Sequence, residues 1–150
     1  MAPGLATTVG ELALRELLTV SQKATLAEVA GALRRADVSC ALLAEPPLRV
    51  MTERDLARAW ADGHGADAPV STIAIGSPLW ATTDTTIAEG AALMIEHGVR
   101  HLVILDRRHI PCGVISMRHL FVVLLSSHEP ATVFASFATV LLRSNRTDER

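Results

Sequence analysis

One short pattern occurs twice in the chain, and it decides the fold. It reads Val50-Met51-Thr52-Glu53-Arg54-Asp55-Leu56 the first time and Val114-Ile115-Ser116-Met117-Arg118-His119-Leu120 the second. In both copies an apolar run ends at a hydroxyl residue and a helix-forming stretch follows. Because serine and threonine are preferred N-caps, each copy predicts a strand that passes directly into a helix.

The repetition extends upstream from this pattern at a constant spacing. The aligned pairs are Val9 with Val70, Leu12 with Ile73, Leu18 with Leu79, Thr25–Glu28 with Thr86–Glu89, and Val38 with Val99. The spacing changes once, between Glu45–Pro47 and Asp106–Pro111, where both copies predict a hairpin turn. Extra residues in a turn cost little loop-closure entropy, so the position of this break supports a true repeat.

Each copy predicts the same order of elements. The expected elements are entry strands at Leu17–Val20 and Leu79–Ala81, capping-box helices after Thr25 and Thr86, hairpins of Cys40–Ala44 with Leu48–Met51 and of Leu102–Leu105 with Gly113–Ile115, and helices at Glu53–Asp62 and Met117–Ser127. The fold class is therefore α+β, a strand-helix-strand-strand-helix unit present twice. One unit leaves its sheet half covered, so we expect the two repeats to pack sheet to sheet.

The repeat sets the expected domain boundaries. These are 9–63 for the first repeat, 64–69 for a linker, 70–127 for the second repeat, and 128–150 for an extra C-terminal helical segment and polar tail. Within that segment, Ala131–Leu142 carries an apolar helical stripe formed by Val133, Phe134, Phe137, Val140 and Leu141. Core cover and a dimer contact are both open interpretations of this stripe.

Composition excludes several classes of function. The chain is 49% hydrophobic and 20% charged, with a net charge of -2, so it offers no basic field for nucleic acid or for an anionic membrane. Met1–Gly4 lacks the charged start of a signal peptide, and no apolar run reaches membrane-helix length. Cys40 and Cys112 lie in apolar runs, and we expect buried thiols in a cytoplasmic protein.

Catalytic and metal chemistry are not indicated by the sequence. No motif couples a nucleophile to a base, so we do not expect an enzyme. His97 and His101 have helix-like spacing, but Gly98 is expected to end the helix between them, and no metal site is expected. Trp60 and Trp80 are interpreted as packing residues.

The ordered combination of this repeat with Gly98–Val103 before the second hairpin and Val50–Leu56 after the first resembles the CBS-domain family. The resemblance covers about residues 9–127. It implies a tandem pair that binds an adenosine-containing ligand, an adenine nucleotide or S-adenosylmethionine, in the cleft between the copies. It also implies a homodimer that regulates an unidentified partner protein.

The resemblance also implies the residues of a ligand site. Thr52 and Asp55 match the family's hydroxyl residue and aspartate, which would hold a phosphate and the ribose hydroxyls. Arg100 and His101 match a basic pair that contacts the ligand's phosphate. The alternative for Thr52 and Asp55 is a purely structural helix cap, and for Arg100 and His101 it is a solvent-facing strand start.

The mirror-image site departs from the family pattern. It would consist of Ser116 and His119 with Ser39 and Cys40, and it lacks both the ribose carboxylate and the phosphate arginine. We therefore expect one competent site and one degenerate site in each chain. Three functions remain to be compared: a nucleotide sensor, a ligand-free dimerisation or docking module, and an enzyme acting on a nucleotide, which the missing nucleophile disfavours.

Overall fold

The computed structural model describes residues 3–12, 14–73 and 75–127, and beyond them 131–132, 134–135 and 138–139. Within this part of the chain the elements run in the predicted order. They are β1 (Thr19–Val20), α1 (Leu26–Ala36), β2 (Cys40–Leu43), β3 (Arg49–Thr52), α2 (Glu53–Ala61), β4 (Trp80–Thr82), α3 (Ile87–Glu96), β5 (His101–Leu105), β6 (Pro111–Ser116) and α4 (Met117–Ser127). The α+β class and the repeated strand-helix-strand-strand-helix order are confirmed.

The strands form two three-stranded sheets of identical topology. In each, the entry strand pairs in parallel with the first hairpin strand, giving the orders β1-β2-β3 and β4-β5-β6. The hairpins are antiparallel, with Cys40 opposite Thr52 in one and His101 opposite Ser116 in the other. Each hairpin therefore ends with a hydroxyl residue beside the first residue of its partner strand.

The first helix of each copy begins at the predicted capping box. Thr25 Oγ1 accepts from the Glu28 N–H at 3.2 Å, and the Glu28 carboxylate accepts from the Thr25 N–H at 2.7 Å. Thr86 and Glu89 repeat this reciprocal pair at the start of α3. Gly98, predicted to end α3, has a φ of +63°, the left-handed conformation typical of a residue just past a helix.

The compact units of the structure do not coincide with the sequence repeats. One unit, which we call the first-repeat unit, is Leu17–Pro78; the other, the second-repeat unit, combines Met1–Glu16 with Leu79–Arg150. The leading segment of each repeat thus packs in the unit that contains the rest of the other repeat. Val9 is fully buried in the core of the second-repeat unit, and its sequence counterpart Val70 is fully buried in the core of the first.

Backbone hydrogen bonds fix both exchanged segments in the same way. In the second-repeat unit the N–H groups that open α3, of Ile87 and Ala88, donate to the carbonyls of Thr7 and Leu5. In the first-repeat unit the N–H groups that open α1, of Leu26 and Ala27, donate to the carbonyls of Ala68 and Ala66. The stretch expected to be only a linker therefore satisfies donors that a helix start leaves unpaired.

Three expectations about side chains are corrected or lie beyond the described residues. Trp60 is 71% exposed, because it follows the buried Ala59 on α2 and faces away from the core. Cys112 is exposed near the turn of its hairpin, whereas Cys40 is buried. Of the proposed C-terminal stripe, Val133, Phe137, Val140 and Leu141 lie outside the described residues. Phe134 is described: its ring meets that of Phe121 edge-on, with 5.7 Å between centroids.

Candidate ligand site

The start of α2 positions Thr52 and Asp55 through a dense set of hydrogen bonds. Asp55 Oδ2 accepts from the Thr52 N–H at 2.8 Å and from the Thr52 hydroxyl at 2.7 Å, and Thr52 Oγ1 accepts from the Asp55 N–H at 3.3 Å. Thr52 and Asp55 therefore form the helix cap that the structural interpretation predicted. Because Thr52 is also the last residue of β3, the cap fixes the carboxylate at the end of the hairpin.

The two oxygens of Asp55 are used differently. Oδ2 carries both bonds from Thr52, while Oδ1 lies 3.8 Å from Arg58 Nη1, beyond hydrogen-bonding distance. The Asp55 side chain is 15% exposed and that of Arg58 is 68% exposed. A charged acceptor oxygen can take a hydrogen bond from a sugar hydroxyl. Capping and ligand binding are thus compatible in one side chain.

The equivalent helix start in the second-repeat unit has a simpler cap. Ser116 Oγ accepts from the His119 N–H at 3.1 Å. His119 occupies the position of Asp55, and its Nδ1 is buried with no hydrogen-bond partner among the described residues. Burial lowers the pKa of His119, and the nearby Arg15 lowers it further. This position therefore offers an imidazole beside a cation in place of a carboxylate.

Arg100 and His101 lie at the start of β5 in the second-repeat unit. The Arg100 carbonyl accepts from the Met117 N–H at 3.0 Å, and His101 pairs with Ser116, so both are held next to the start of α4. Arg100 is exposed and His101 is half-buried. Burial lowers the pKa of His101, with a smaller contribution from the Arg100 charge.

Ser39 and Cys40 hold the corresponding place in the first-repeat unit. The Ser39 carbonyl accepts from the Glu53 N–H at 3.1 Å, and Cys40 pairs with Thr52. Burial raises the pKa of the Cys40 thiol to about 11, so it is neither charged nor nucleophilic at neutral pH. The backbone is the same as around Arg100 and His101, but the cations are missing.

The structure brings the predicted residues together in two groups, one in each unit. The first-repeat unit holds Thr52 and Asp55, and the second-repeat unit holds Arg100 and His101. Sequence reasoning missed Arg58 and Arg15. Arg58 could have been found from its helical spacing to Asp55, since residues three apart share a helix face. Nothing in the local sequence around Arg15 indicates its place beside His119.

Two further observations concern the described residues as a whole. They include no group of three histidine, cysteine or acidic side chains able to hold a metal ion. None of their helices has both the length and the apolar character needed to cross a bilayer.

Two similar α+β units, each with a hydroxyl-capped helix after a hairpin, define a tandem-repeat module. The family model of the CBS domain matches residues 70–126. A CBS domain protein from Pyrobaculum aerophilum, solved in complex with AMP, is 30% identical to this chain, with 88% of this chain and 98% of that one covered and a TM-score of 0.72. The chain belongs to the CBS-domain family.

Two other similarities extend this result. An uncharacterized 17.7 kDa protein of Acidianus ambivalens is 28% identical over 127 residues, covering 83% of this chain and 77% of that protein. The CBS domain pair of protein MJ0100, solved in complex with 5'-methylthioadenosine and S-adenosyl-L-methionine, has a TM-score of 0.72. It is 14% identical, with 82% of this chain and 99% of that one covered, so this likeness concerns the fold alone.

Proposed function

We propose that this protein is a non-catalytic regulatory module that binds an adenosine-containing ligand and signals the bound state to a partner protein. The observation that carries the proposal is the similarity to a CBS domain protein complexed with AMP. That protein is 30% identical to this chain, and 98% of its length is covered.

Each candidate residue has a role in this proposal. Asp55 accepts the ribose hydroxyls through Oδ1, while Thr52 keeps the carboxylate oriented through Oδ2. Arg100 and His101 donate to the ligand's phosphate, which a guanidinium binds with fixed geometry. Ligand binding then changes the relative populations of two states of the module, and the partner reads that change.

The experiment that tests this function compares Asp55→Asn with Glu89→Gln. Both substitutions remove the charge of a carboxylate that accepts an N–H and a hydroxyl from its own N-cap threonine. Only Asp55 is proposed to contact ligand. A hydrogen bond to a charged group contributes about 1.5–3 kcal/mol, so Asp55→Asn should weaken both adenosine and AMP by about tenfold to a hundredfold. Calorimetric titration measures this loss, and Glu89→Gln should bind as the wild type does.

Arg100→Ala distinguishes phosphate binding from sugar binding. It should weaken AMP, leave adenosine nearly unchanged, and make AMP affinity less sensitive to salt. If Asp55→Asn binds every tested adenosine compound as tightly as the wild type, Asp55 does not contact the ligand and the proposed site is wrong.

The side chains of the two units also suggest the number of ligands. Ser116 and His119 with Ser39 and Cys40 offer no ribose carboxylate and no arginine, so the same titrations should saturate near one nucleotide per chain. Two equal sites per chain would contradict this asymmetry.

We also propose a homodimer. Among the described residues, four large apolar side chains are more than half exposed: Trp60, Ile110, Val122 and Phe134. Apolar exposure of this kind often marks an interface. Light scattering at micromolar concentration should give twice the 16.0 kDa chain mass. A mass near that of one chain would exclude the dimer.

A further inference from the structure

Arg58 lies next to the oxygen of the Asp55 carboxylate that the helix cap does not use. Asp55 Oδ2 accepts both bonds from Thr52, whereas Oδ1 lies 3.8 Å from Arg58 Nη1. Asp55 and Arg58 are three residues apart on α2, a spacing that places them on the same face of a helix. The first-repeat unit therefore presents an anionic acceptor and a cationic donor side by side at this junction.

The contact between Asp55 and Arg58 contributes little to folding. A direct hydrogen bond between a guanidinium and a carboxylate is about 2.7–2.9 Å long, and the distance of 3.8 Å is well beyond that range. The Arg58 side chain is 68% exposed, so water weakens its attraction to the carboxylate. Exposed ion pairs of this kind add little to the free energy of unfolding, so stability alone does not explain an arginine at this position.

The second-repeat unit provides a comparison within the same chain. Asp55 and Arg58 are aligned with His119 and Val122, so the carboxylate and the guanidinium are replaced together at the other junction. Val122 is 53% exposed, which shows that the fold accepts an apolar residue without a charge at this helix position. The arginine is therefore present only in the unit that has the carboxylate, as expected if both side chains serve one site.

A hydroxyl group fits between the two side chains. A hydroxyl donates one hydrogen bond and also accepts, so it can donate to Asp55 Oδ1 and accept from Arg58 Nη1 at the same time. Two atoms 3.8 Å apart leave room for one oxygen about 2.8 Å from each of them, to the side of the line that joins them. A methylene group in the same place could make neither bond.

We infer that Arg58 is a further ligand-binding residue, and that it donates a hydrogen bond to the same sugar hydroxyl that donates to Asp55. The inference rests on the proposed function, to which it adds a residue and a sugar specificity. The pair selects a ribose, which carries both the 2′ and the 3′ hydroxyl, over the deoxyribose that lacks the hydroxyl lying between Asp55 and Arg58.

The test measures the affinities of adenosine, 2′-deoxyadenosine and 3′-deoxyadenosine for the wild type, Arg58→Ala and Arg54→Ala. Arg54 is the matched control, because it is an exposed arginine of the same helix and the second-repeat unit has Arg118 at the aligned position. Arg58→Ala should weaken adenosine by about threefold to tenfold, as for the loss of one exposed hydrogen bond. It should leave unchanged the affinity of the deoxynucleoside that lacks the shared hydroxyl. Arg54→Ala should change none of the three affinities.

The outcomes separate this inference from the proposed function. If Arg58→Ala binds adenosine as tightly as the wild type, or weakens all three nucleosides equally, Arg58 does not contact a sugar hydroxyl and the inference is overturned. A greater loss for AMP than for adenosine would also overturn it, because the contact would then be with the phosphate. None of these results affects the sensor function, which Asp55→Asn tests independently. If the wild type binds neither adenosine nor AMP, the proposed function fails and this inference fails with it.

Discussion

The two units have the same backbone but carry different chemistry at the same position. In the first-repeat unit the strand-to-helix junction holds a carboxylate, Asp55, that is bonded twice by its N-cap. In the second-repeat unit the junction holds His119, and Arg15, Arg100 and His101 are close to it. Duplication preserved the elements that build the sheet and the helix caps. The comparison teaches that the fold needs only a hydroxyl residue at the junction, Thr52 or Ser116. The third residue after the hydroxyl, Asp55 or His119, can therefore differ and is available for function.

The largest expected effect concerns the exchanged segments. Leu12 and Ile73 are aligned in sequence, and each is buried in the core of the unit that contains the other repeat. Leu12→Ala and Ile73→Ala should each lower the free energy of unfolding by about 2–5 kcal/mol. Hydrogen exchange should show that Leu12→Ala loosens α3 and Ile73→Ala loosens α1. If Leu12→Ala loosened α1 and Ile73→Ala loosened α3, the exchange of leading segments between the units would be contradicted.

A smaller effect on the free energy of unfolding should distinguish the helix caps at Thr52 and Ser116. Thr52→Ala removes the two hydrogen bonds that the Thr52 hydroxyl makes with Asp55, whereas Ser116→Ala removes a single bond to the His119 N–H. We expect losses of about 1–2 kcal/mol for Thr52→Ala and about 0.5–1 kcal/mol for Ser116→Ala in urea unfolding. Equal losses would show that the bond from the Thr52 hydroxyl to the Asp55 carboxylate contributes nothing.

The smallest effect is a difference in acid sensitivity. His101 and His119, both in the second-repeat unit, have pKa values below the ordinary 6.5. The unfolded chain therefore binds more protons than the folded one as the pH falls through 6.5, and stability is lost in that direction. The double variant His101→Asn/His119→Asn should lose less stability than the wild type between pH 7 and pH 5. Urea unfolding at both pH values measures the difference, and identical losses would contradict it.

Much of the fold was predictable because its signals are local. The capping boxes at Thr25 and Thr86 depend on residues three apart, and the strand-to-helix junctions at Thr52 and Ser116 depend on the same spacing. These signals fixed the element order and indicated the candidate residues. The roles of those residues in ligand binding remain predictions.

What could not be predicted depends on tertiary contacts. Val9 and Val70 are both apolar and equally suited to either core, so the sequence does not say that each packs with the other repeat. The position of Arg15 follows from that exchange and was missed for the same reason. Trp60 was predicted to pack in the core because of its hydrophobicity. It lies on the exposed face of α2, next to Ala59 on the buried face, and hydrophobicity alone does not distinguish the two positions.

The exchange of leading segments also sets an order of events during synthesis. The first-repeat unit is one continuous stretch, Leu17–Pro78, and its core residues leave the ribosome together. The second-repeat unit cannot complete its core until α4 is made, yet Val9 and Leu12 emerge before all of their partners in β4, α3, β5, β6 and α4. Domains generally fold as units while the chain is being made. The leading segment of this unit is made before the first-repeat unit, yet it is among the last parts of the two units to reach its final packing.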